Sequence, residues 1–138
     1  MKKYILYSVV LSVLLLNAFS TALAQNPPFY EEIQAYKELD SAQMPAKNAI
    51  LFIGSSSFNF WKDMQQYFPN HTVINRGFGG SSLPDVIRYA NDIIYPYQPK
   101  QVVIYCGEND IATLNATPTV VLGRMKTLVG MIRGKFKN

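Results

Sequence analysis

Three short clusters in this chain carry residue types suited to acyl-transfer chemistry. The first is Gly54-Ser55-Ser56-Ser57, a glycine followed by three hydroxyls; the second is Arg76-Gly77-Phe78-Gly79-Gly80; the third is Gly107-Glu108-Asn109-Asp110. A serine hydroxyl can attack an ester carbonyl, and the acyl-enzyme is then released by water. Backbone N–H groups and an asparagine amide can hold the oxyanion that forms on the way. Each such donor is worth about 2.7–4 kcal/mol of transition-state stabilisation. What the set lacks is a base. The single histidine, His71, lies in a turn-like Pro69-Asn70-His71-Thr72 context, before a strand rather than after one, and so at the wrong end to reach a serine.

Each cluster closes a run that reads as a strand. Ala49 to Ile53 is five consecutive apolar residues, and a short run without alternation is the pattern of a strand buried on both faces. Thr72 to Asn75 and Gln101 to Cys106 read as the second and third strands. Gly54 can turn the chain sharply, and the serines after it can cap a helix. Helical patterns separate the strands: one through Phe58, Phe60, Trp61 and Met64, with Phe60 and Trp61 expected in the core, and one through Leu83, Val86, Ile87, Ala90, Ile93 and Ile94. A third opens at Thr117-Pro118 and carries Val121, Met125, Leu128, Val129 and Ile132 on one face. Ahead of the first strand, a helix from about Phe29 to Asp40 places Phe29, Ile33, Tyr36 and Leu39 together. Strands joined by helical crossovers form a parallel sheet with helices on both faces. Parallel strands bring all three clusters to one edge, where α/β sheets bind their ligands.

The ends and totals bound the reading. Met1-Lys2-Lys3, the uncharged apolar run Tyr4 to Leu16 and the small residues of Ala22-Leu23-Ala24 make residues 1–24 a secretory signal peptide. The protein is therefore expected to be secreted or periplasmic. The apolar run is shorter than the ~20 residues of a spanning helix, and no cysteine follows the cleavage region, so no stable membrane anchor is expected after cleavage. Of 138 residues, removal of 24 leaves 114, enough for one domain: an N-terminal helix and linker over 25–47, then the main domain over 48–138. Loss of Lys2 and Lys3 lowers the net charge from +4 to +2, which is not the electrostatic signature of a nucleic-acid partner. Cys106 is the only cysteine; it reads as a small buried hydrophobe, and no intrachain disulfide can form.

Taken together, Ile53-Gly54-Ser55-Ser56, Asn75-Arg76-Gly77-Phe78-Gly79-Gly80 and Gly107-Glu108-Asn109-Asp110 resemble the first three sequence blocks of the SGNH/GDSL hydrolases, in the branch of bacterial lipases and acylhydrolases similar to platelet-activating-factor acetylhydrolase. The resemblance implies a flavodoxin-like three-layer α/β/α sandwich with a parallel sheet and no cofactor or metal. It places the nucleophile on Ser56, whose N–H is one oxyanion donor, a second donor N–H on Gly80 (Gly77 if the register differs), and a side-chain donor on Asn109. Two departures stand out. Ser55 replaces the aspartate before the nucleophile, and the Asp-x-x-His block that supplies the base is not present. The expectation is therefore an N-terminal portion of the family fold, its C-terminal part missing. The implied activity is exported serine ester hydrolysis of a small-molecule ester, with acetylated carbohydrates or small lipid esters as candidates. A non-catalytic exported binding module on the same fold, holding a sugar or anion in the same loops, is the alternative.

Overall fold

The computed structural model describes residues 26–137; the expected signal peptide lies outside them. Helix α1 spans Tyr30–Ala42 and strand β1 spans Ile50–Gly54. A one-turn helix α2 (Ser56–Asn59) and a 3-10 turn (Met64–Tyr67) lead to β2 (Val73–Gly77). Next come α3 (Leu83–Arg88), α4 (Ala90–Ile93), a 3-10 turn (Tyr95–Tyr97), β3 (Gln101–Tyr105), α5 (Glu108–Ala112) and α6 (Pro118–Lys135). The sheet is parallel, in the order β2-β1-β3. Gly54 pairs with Gly77 on one side and Tyr105 on the other, so the three strands end level.

The expected architecture, a parallel sheet flanked by helices, is what the chain forms, and the two layers differ in depth. Leu51, Ile53 and Ile74 join Ile33, Val86, Ile93 and Leu128 in the larger core, under α1, α3, α4 and α6. Ile50 and Phe52 face the other way, onto Phe58 and Met64, with Trp61 and Phe68 packed at the side. All five residues of β1 are buried, as an apolar run between two partner strands should be. The outer strand β3 is only half-buried, because β1 is its one pairing partner among the described residues.

Several local expectations shift. The helix through Phe58 to Met64 is α2 plus a 3-10 turn, with Trp61 half-buried and Phe60 74% exposed. Phe60 directly follows the one-turn helix, so its side chain leaves the face that Phe58 buries. The long stripe from Leu83 to Ile94 is broken at Tyr89, which caps α3 and precedes α4. Leu39, expected beside Ile33, is exposed. The outer edge of β2 is closed by side chains: Gln65 Oε1 accepts from Val73 N (3.1 Å), and Asn59 Nδ2 donates to Gly77 O (3.0 Å), which also accepts from the Tyr36 hydroxyl. An edge strand satisfied this way offers little to a pairing partner.

Candidate active site

Gly54 has to be glycine. Its φ is +151°, and a Cβ there would lie 2.0 Å from the Tyr105 carbonyl oxygen. The close approach lets Ser55 N donate to Tyr105 O at 3.3 Å and Phe78 N donate to Gly54 O at 3.0 Å. The first loop is thereby tied to both neighbouring strand ends. Ser55 is buried and precedes α2; Ser56 is its first residue and half-buried; Ser57 is exposed.

The second loop is held from behind. Arg76 is buried, donating from Nε to the Tyr97 hydroxyl (2.6 Å) and from Nη1 to Asn75 O (2.9 Å), and it is ion-paired with Asp40. Its guanidinium lies 4.8 and 4.9 Å from the ring centroids of Tyr36 and Tyr97, within cation–π range. Burial, and then the hydrogen bond to Asp40, push the Tyr97 hydroxyl well above its ordinary range. Beyond this anchor the chain turns at Gly80 (φ +81°), and Ser82 and Asp85 form a capping box on α3.

The third loop meets the first two directly. Asn109 Nδ2 donates to Ser55 Oγ at 2.8 Å and to Ser81 O at 2.9 Å. Asp110, fully buried, accepts from Leu83 N at 2.8 Å and pairs with Arg124 at 2.8 Å. The aspartate therefore caps α3, the helix after loop two, and fastens α6 to the same point. Cys106 sits below this loop with its thiol pushed up to about 12, first by burial and then by the Asp110 and Glu108 carboxylates. Such a thiol is a poor nucleophile; Cys106 packs against the larger core as a small hydrophobe, but half-buried rather than buried as the sequence suggested.

Of the residues singled out from sequence, Gly80 and Asn109 line one half-open cavity of about 350 Å³, together with Phe29, Ser82, Asp85 and Leu114. Ser56 stands one residue beyond the hydroxyl that Asn109 touches. Gly77 faces the α2 side, where an added Cβ would meet Phe58 Cβ at 2.7 Å, so its place in the fold is a packing one. His71 is exposed just before β2 begins, at the end of the sheet away from the three loops. Among the described residues no group of three or more His, Cys, Asp or Glu side chains could hold a metal ion.

Sequence reasoning missed three features. The Asn109 contact falls on Ser55, and three adjacent hydroxyls gave no means to foresee which one. The Asp40–Arg76–Tyr97 anchor joins residues 21 and 36 positions apart and has no local signature. Phe29, expected on the buried face of α1, instead precedes that helix at φ +66°, a left-handed conformation costing roughly 1–2 kcal/mol for a residue with a side chain. The preceding Pro27-Pro28 was the available signal of a constrained turn.

The three-stranded parallel sheet with these level strand ends matches part of the fold of several solved structures, a GDSL-like lipase among them. One such neighbour, provisionally described as a platelet activating factor from Streptococcus pneumonia, is 20% identical at a TM-score of 0.66 over 92% of this chain and 56% of its own. A protein provisionally described as an acylhydrolase, from Bacteroides fragilis, is 22% identical at a TM-score of 0.65, over 81% and 56%. A GDSL-like lipase from Bacteroides thetaiotaomicron is 20% identical at 0.64, over 75% and 54%. The chain thus spans just over half the length of the structures it matches. No protein-family model matches the sequence, and no curated protein matches it.

Proposed function

We propose that this chain is part of an exported serine ester hydrolase, with Ser56 as nucleophile and Ser56 N–H, Gly80 N–H and the Asn109 amide as oxyanion donors. The observation that carries the reading is the hydrogen bond from Asn109 Nδ2 to Ser55 Oγ. It brings the third loop's side-chain amide against Ser55, the residue before the proposed nucleophile, which supports an oxyanion-donor role. Both Nδ2 hydrogens are engaged, one with Ser55 and one with Ser81 O. A developing oxyanion would displace one of them, and its charge makes it the stronger acceptor. Ser56, at the N-terminus of α2 and more accessible than Ser55, is the better placed attacking group. The same contact also favours a second reading, in which Ser55 itself is the nucleophile. Small-molecule esters are the substrate class, acetylated carbohydrates among them.

The reading is tested without an internal base. Hydrolysis of p-nitrophenyl acetate is followed with rising imidazole, an external general base, for the wild type and for Ser56→Ala and Ser55→Ala. The chain alone is expected to run no faster than imidazole controls. With imidazole, a saturable component should appear that Ser56→Ala removes and Ser55→Ala retains. Identical rates for all three proteins at every imidazole concentration would reject ester hydrolysis at these serines.

A further inference from the structure

The cavity that Gly80 and Asn109 share has a wall that the three loops do not supply. Phe29 is brought there by the segment ahead of α1. Pro28 O accepts the Tyr89 hydroxyl at 2.7 Å, and the Phe29 ring packs edge-on against buried Phe78, with centroids 5.2 Å apart. The ring edge also lies beside Gly80, 4.0 Å from where a Cβ would stand. Pro28, Pro84 and Leu114 complete a mainly apolar lining, with Asp85 and Arg88 also on it. A bulky residue held at positive φ persists only where its surroundings over-determine it, and here the surroundings fix the ring in the cavity wall.

We propose that Phe29 is a specificity-determining residue: with Leu114 on the same lining, it shapes an apolar pocket that takes the hydrocarbon chain of the acyl group. This rests on the proposed oxyanion role of Gly80 and Asn109, which line the same cavity as Phe29 and Leu114. The carboxylic acid product offers the same two parts, an anionic head for the donors and a chain for the cavity. Hexanoate, with four more methylenes than acetate, therefore binds more tightly. Each buried methylene is worth a several-fold gain, and in a half-open pocket the total is expected to be roughly tenfold.

The test is saturation-transfer NMR on the 138-residue chain with sodium hexanoate and sodium acetate as probes. The expected result is transfer to the hexanoate chain, with affinity about tenfold above acetate. Leu114→Trp, which fills the pocket from an exposed position, should abolish it, and Phe29→Ala should weaken it. Equal transfer to both probes, or hexanoate transfer that survives Leu114→Trp, would overturn the proposal even if Phe29→Ala proves unfolded. No step of this assay uses a serine hydroxyl. Failure of Ser56 chemistry with hexanoate still bound at Phe29 would sink the hydrolase reading and leave the cavity a carboxylate-binding pocket, not an acyl pocket; Ser56 chemistry without hexanoate binding would sink the pocket alone.

Discussion

Replacing Asp110 with alanine should destabilise the chain substantially. The carboxylate is fully buried, accepts from Leu83 N at 2.8 Å and pairs with Arg124 at 2.8 Å. Without it, a buried N–H at the start of α3 loses its acceptor, a loss of about 1–3 kcal/mol. The charged bond to Arg124 adds less than the ~1.5–3 kcal/mol of a fully desolvated one, because the Arg124 side chain is 30% exposed and water takes over part of its solvation. The sum is about 3 kcal/mol, or roughly 12 °C in Tm for a domain of this size. Asp110→Asn keeps an acceptor for Leu83 N and should lose about half as much. Arg124→Ala leaves a buried carboxylate with one partner, so it also destabilises, and the double variant should be little worse than Asp110→Ala alone. Urea unfolding of the four proteins measures the coupling, expected at about 1–2 kcal/mol. Additivity within ~0.5 kcal/mol, or an Asp110→Ala variant as stable as wild type, would refute the claim that this residue ties α3 and α6 to the third loop.

Other expectations follow from the same geometry. Gly54→Ala drives a methyl group to 2.0 Å from the Tyr105 carbonyl oxygen and should prevent folding, which circular dichroism of the purified variant would show; a native spectrum would contradict the strand-end geometry. Cys106 should resist thiol reagents in the native state: with its thiol raised to about 12, thiolate at pH 8 is about one part in ten thousand. Rapid labelling of native protein by a disulfide reagent at that pH would contradict the burial. Because the folded pKa is raised, the neutral thiol's contribution is fully present below the unfolded value near 9 and is lost as pH rises toward 12. Tyr97, raised in the same direction by burial and by Asp40, acts with it, so Tm should hold up to about pH 9 and fall beyond it.

Much of the frame was legible in the residues. Ala49 to Ile53 announced a buried strand because it is apolar on both faces, and both faces are covered, one by the larger helical layer and the other by Phe58 and Met64. The helix at Thr117-Pro118 announced its start through an N-cap followed by proline, and Thr117 Oγ1 does accept from Val120 N. What was not legible depended on distant partners. Phe60 and Leu39 carry core-type side chains, yet both are exposed; for Phe60 the end of the one-turn helix at Asn59 sets the orientation, not hydropathy. The register of the serine triplet was hidden for another reason: three hydroxyls in a row are chemically equivalent until a partner such as Asn109 selects one. Asp110 caps α3, 27 residues earlier, a partnership nothing beside it in the sequence signals.

The account turns on a particular hydroxyl being the reactive one. Prolonged incubation with a fluorophosphonate, followed by digestion and mass spectrometry, locates the phosphonylated serine without requiring turnover. Three donors, each worth about 2.7–4 kcal/mol, predict an adduct on Ser56 well ahead of every other serine, lost in Ser56→Ala and slowed about a hundredfold or more in Asn109→Ala. An adduct on Ser55 or Ser57 in preference to Ser56, or equal slow labelling of all exposed serines, would contradict it.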